Sequence, residues 1–125
     1  MDEEEIILKK MLFLEHEELV YVRRLSKEGR LNEAEELLYK SQPTPAVLDE
    51  IRKISSKKAK ISKDNKDWLS VLKHLEKYSN YANKWHNFCV KFVNQAPPEH
   101  TSRDKKLLKE AKEKIRLLND NKKDN

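Results

Sequence analysis

Seven side chains recur at alternating steps of four and three: Val71, Leu75, Tyr78, Ala82, Trp85, Cys89 and Phe92. That spacing keeps all seven on one side of an α-helix, as in a packed seam between helices. Trp68, Leu72, Phe88 and Val93 widen the stripe, and no Gly or Pro interrupts it before Pro97. The spacing therefore predicts a helix over about 67–94, some 42 Å long at 1.5 Å per residue. A spine of that length in a chain of 125 residues requires other helices to cover it.

The rest of the chain is suited to supply them. It holds one glycine, Gly29, and four prolines, too few turn formers for hairpins or barrel corners. A first helix is expected over about 3–28. Asp2 is its cap, Glu3, Glu4 and Glu5 suit the positive end of its dipole, and Gly29 stops it. Its apolar residues, from Ile6 to Leu25, cover more than one face, which predicts burial on several sides or a homodimer contact. A short second helix follows over 31–40, with a narrow stripe of Ala34, Leu37 and Leu38. Thr44 as N-cap and Pro45 in the first turn open a third helix running to about Ser62. Its far half carries Lys57, Lys58, Lys60 and Lys63. Thr101 or Ser102 opens a fifth helix bearing Leu107, Leu108, Ala111, Ile115 and Leu118. The expected fold is all-α: about five helices in antiparallel hairpins, a compact bundle or a short stack, in one domain over 1–118. Residues 119–125 are expected to form a flexible polar tail.

Two stretches look alike at an offset of 37 residues. Glu28–Leu38 and Asn65–Leu75 each pair a turn with a large apolar residue, a small or branched one three later, and another apolar one four beyond that. The first resembles a tetratricopeptide repeat. Gly29 stands at its inter-helix turn, Leu31, Ala34 and Leu38 at its second-helix packing positions, Tyr21 and Leu25 at its first-helix positions, and Pro45 near its end. The resemblance covers residues 21–45; the second unit departs from it, with Lys66 in place of the turn glycine. It implies stacked helix hairpins and a surface that binds other proteins.

Charge is uneven. Residues 1–42 hold 7 Lys/Arg against 11 Asp/Glu, a net of −4, and residues 43–125 hold 20 against 11, a net of +9. A basic remainder predicts either solvated helix faces or an anionic partner such as nucleic acid. No stretch approaches 18 apolar residues, and the acidic start is the wrong charge for a signal peptide, so the expected place is the cytoplasm with no membrane contact. The single cysteine excludes an internal disulfide framework.

No catalytic or metal-binding pattern stands out, and no cofactor is expected. His86 and Cys89 share a helix face, but a zinc site needs three or four ligands and no second Cys exists. His16 lacks the second His of H-E-x-x-H, since Val20 stands there. The readings left are a non-enzymatic module or small regulator or inhibitor that docks a partner protein, and a small basic nucleic-acid-binding accessory protein. The expected outward contacts are Tyr81, Lys84 and Trp85, which mix aromatic and cationic groups, together with Asn94, Gln95 and His100 of the proline-stiffened loop over 94–102.

Overall fold

A computed structural model describes residues 3–123. The protein is all-α, with seven helices among the described residues: α1 (Glu3–Lys10), α2 (His16–Lys27), α3 (Leu31–Tyr39), α4 (Pro45–Asp64), α5 (Trp68–Lys84), α6 (His86–Val93) and α7 (Ser102–Lys123). Two of the expected helices are each broken in two, which raises the count from five.

The first break lies between α1 and α2. The backbone N–H of Leu12 donates to Lys40 (3.1 Å) and that of Gln42 donates to Leu12 (2.7 Å). A strand-like crossing cannot coexist with helical hydrogen bonds at the same residues, so the apolar run around Leu12 leaves the helix. The Glu18 carboxylate then accepts from the Glu15 N–H at 3.0 Å, restarting the chain as α2. The expected burial of the first helix on several sides does not hold. Ile6, Ile7, Leu12 and Phe13 are exposed, and only Leu19, Val22 and Leu25 of α2 are buried. Besides the crossing, α1 is held by the Gln42 Nε2 donation to the Leu8 carbonyl, 3.2 Å.

The second break is at Trp85, with φ −101° and ψ 9°. The indole sits in the core, and the chain bends at that one residue while Trp85 N–H still donates to Tyr81 and Cys89 N–H to Trp85. The remaining boundaries follow local chemistry. Thr44 Oγ1 accepts from Val47 N–H (3.3 Å), Asp67 Oδ1 from Ser70 N–H (3.2 Å) and Thr101 Oγ1 from Asp104 N–H (3.2 Å). Helix α4 runs two residues past Ser62. Helix α7 continues through Lys123, beyond residue 118 where a tail was expected. Positions 124 and 125 of that tail, like Asp2 of the expected first cap, lie outside the described residues.

The helices pack in chain order: α2 on α3, α3 on α4, α4 on α5, and α5 on α7, with α2 also touching α4. Two apolar clusters result. The larger joins Leu19, Val22, Leu38, Leu48, Ile51 and Ile54 with Tyr78 and Cys89. The smaller packs Ala59, Val71 and Leu75 against Leu107 and Ala111 of α7. Glu35 of α3 ties the stack together from outside, reaching Lys77 of α5 (2.9 Å) and Lys58 of α4 (3.3 Å). Burial pushes its carboxyl up, but Lys77 and Lys58 outweigh that and leave it below the ordinary value.

Candidate functional site: two clefts and a clasped loop

The expected outward cluster comes apart. Trp85 is 1% exposed and belongs to the core. Its expected outward placement does not hold: Trp85 stands on the apolar seam with Tyr78, Ala82 and Cys89, and that seam faces the core. Tyr81 is half-buried in a chain of edge-on rings, with Tyr39 at 4.7 Å, Trp85 at 6.4 Å and, from Trp85, Phe88 at 6.1 Å. Burial pushes the Tyr81 hydroxyl above its ordinary range, as expected for a ring that packs. Lys84 is exposed and lies over the Trp85 ring, 5.4 Å from its centroid. The ring chain ends outside at Phe92, the one member of the sequence seam that is largely exposed, at 63%.

The loop over 94–102 is clasped to α5. Asn94 ends α6 in the left-handed conformation (φ 55°) and is exposed, as is Gln95. The Tyr78 hydroxyl donates to the Pro98 carbonyl. His100 Nε2 lies 2.9 Å from the Leu75 carbonyl and 2.8 Å from Ser79 Oγ. A carbonyl only accepts, so that nitrogen carries the ring proton. The Ser79–His100 pair therefore cannot work as nucleophile and base through this contact, because the nitrogen facing Ser79 has no free lone pair. His100 is a clip between loop and helix. Asn94, Gln95 and Lys84 remain at the surface, but they are not joined with Tyr81, Trp85 and His100 in one accessible face.

His86 and Cys89 also part. His86 is exposed, whereas the buried Cys89 thiol donates to the Pro43 carbonyl at 3.1 Å, and burial raises its pKa. No group of three or more His, Cys, Asp or Glu side chains converges among the described residues.

Two other surfaces are hollowed. The first is an apolar cleft of about 420 Å³ lined by Leu12, Phe13, Leu14, Tyr21 and Leu37, with Glu17 and Glu18 on its rim. Phe13 is 65% exposed there and Leu12 50%. The second is a basic cleft of about 700 Å³ between α4 and α7. Lys57, Lys60 and Lys63 stand on one wall and Arg103 and Lys106 on the other. In its floor the buried Asp104 accepts from Ser56 Oγ at 2.9 Å. The lysines of α4 were visible as a basic run, but nothing local places Arg103 and Lys106 opposite them. The apolar cleft was hidden because a run such as Met11–Leu14 reads as helix interior.

No family model, no curated protein and no solved structure matches this chain. Among the described residues no helix is long and apolar enough to cross a membrane.

Proposed function

We propose that the chain is a cytoplasmic, non-enzymatic interaction module that docks a partner protein, as an adaptor or as a small regulator that blocks that partner. The observation that carries this is the apolar cleft around Phe13. Exposed aromatic and aliphatic side chains gathered over a cleft are what protein interfaces bury, and a large exposed apolar side chain in contact with others is a docking anchor. The ordered stacking of helices and the residues resembling a tetratricopeptide hairpin are in keeping with that role. A second copy of the chain, meeting through α1 and the start of α2, is one form such docking takes.

The test compares the unaltered chain with Phe13→Asp. Both are used as bait in nuclease-treated and in untreated lysate and examined by sedimentation for self-association. A discrete partner, or a dimer, present with the unaltered chain and lost with Phe13→Asp is the expected result. Retention of nucleic acid instead, or equal capture by both chains, would overturn it.

The second reading, a small basic nucleic-acid-binding accessory protein, draws on the five cations around the α4–α7 cleft. Phosphate binding would weaken steeply with salt, and docking at Phe13 would not.

A further inference from the structure

We infer that the basic cleft between α4 and α7 receives an acidic, extended segment of a partner protein. The inference rests on the protein-docking reading above and adds a separate surface to it.

The cleft is built rather than incidental. Ser56 and Lys57 line both the α4–α7 hollow and a smaller one of about 350 Å³ between α2 and α4, so one groove follows the face of α4. Cross-links set its width. Ser56 bonds Asp104, and Lys63 pairs with Glu110 at 3.7 Å, joining α4 to α7. Arg23 Nε meets the buried Glu50 at 2.7 Å, and Lys57 Nζ donates to Ser26 Oγ at 2.7 Å, joining α4 to α2. After these pairings the side chains of Lys60, Arg103 and Lys106 have no hydrogen-bond or ion-pair partner among the described residues. A groove held by its own ion pairs, with three cations left over, favours an anionic occupant.

The interspersed acids decide which kind. Asp64, Asp104 and Glu110 stand among the cations of the α4–α7 hollow. A nucleic-acid strand carries a phosphate charge on every unit, so its phosphates would meet Asp64 and Glu110 as well as the cations. No aromatic ring lines either hollow among the described residues, which removes the stacking platform that single-strand binders use. A peptide brings carboxylates for the cations and backbone N–H donors for the acids. Lys60 of α4 stands across the hollow from Arg103 and Lys106, which lie three residues apart on α7, about 4.5 Å along its axis. Alternate side chains of an extended peptide point to one face, so a segment with an acid at every second residue turns all its carboxylates toward these cations.

The test is fluorescence anisotropy with the full chain and a labelled peptide of alternating Glu and Ala, with unlabelled oligothymidylate as competitor. The peptide is expected to bind, and Lys60→Glu with Lys106→Glu to weaken it by about tenfold or more. Lys73→Glu with Lys91→Glu changes net charge equally on α5 and α6 and is expected to stay within about twofold. Three results would each overturn the inference: no peptide binding, equal loss with both pairs of substitutions, or displacement by oligothymidylate, which would make the groove a nucleic-acid site. A Phe13→Asp chain keeps the groove intact, so peptide binding by that chain separates failure of this inference from failure of the Phe13 reading.

Discussion

The turns at Gly29 and Lys66 make the same three hydrogen bonds, 37 residues apart. Glu28, Gly29 and Arg30 donate to Arg24, Ser26 and Leu25. Asn65, Lys66 and Asp67 donate to Ile61, Lys63 and Ser62. The central residue is left-handed in both, at φ 82° for Gly29 and 58° for Lys66. Glycine adopts that conformation freely, and lysine does so at a cost of about 1 kcal/mol. The residue in the turn therefore does not decide its shape. The flanking helices do. α4 and α5 bury Ala59, Val71 and Leu75 together against α7, and that packing holds Lys66 where a glycine would sit by preference.

The two hairpins differ most beyond their ends. The first stops at Tyr39, while the second runs on through the buried Trp85 into α6. Trp85→Ala is therefore expected to have the largest effect, a loss of about 3–5 kcal/mol in urea unfolding. A loss below about 1 kcal/mol would mean the bend adds nothing and the hairpins are interchangeable. Next come the turns themselves. Lys66→Gly is expected to raise stability by about 0.5–1 kcal/mol and Gly29→Ala to lower it by about 1 kcal/mol, although a Cβ at Gly29 meets no atom within 4 Å. Effects of the same sign would show that the turns are alike only in outline.

The smallest effect concerns His74, which occupies in α5 the place that Leu37 has in α3. Burial and then the charge of Lys58 push the His74 imidazole below its ordinary pKa. The unfolded chain therefore holds that proton more tightly than the folded one. Its stabilising contribution is present above about pH 6.5 and is lost as pH falls through the lowered folded-state value. His74→Leu is expected to flatten the fall in unfolding temperature over that window. An unchanged slope would place the titration elsewhere.

Much of this fold can be read from the chain. The seam is buried from Val71 to Cys89, Thr44 caps the helix it precedes, and of Thr101 and Ser102 it is Thr101 that caps the last one. What escaped reading depends on distant residues. The break before α2 comes from Leu12 meeting Lys40 and Gln42, some thirty residues away, with Glu15 and Glu18 in place of a more usual cap. The helix break at Trp85 has no local marker, since neither Gly nor Pro stands near it, whereas its burial follows from its place on the seam. The basic cleft was half legible: Lys57, Lys60 and Lys63 share a helix, but Arg103 and Lys106 join them only when α7 folds over α5.

The bond from Cys89 to the Pro43 carbonyl has a practical consequence. It sits where α6 meets the segment leading into α4, and it belongs to the only thiol in the chain. A sealed thiol with a raised pKa reacts with alkylating reagents only when its surroundings part. Its rate of modification is thus a built-in clock for the separation of α6 from the stack, read on the unaltered protein without any introduced probe.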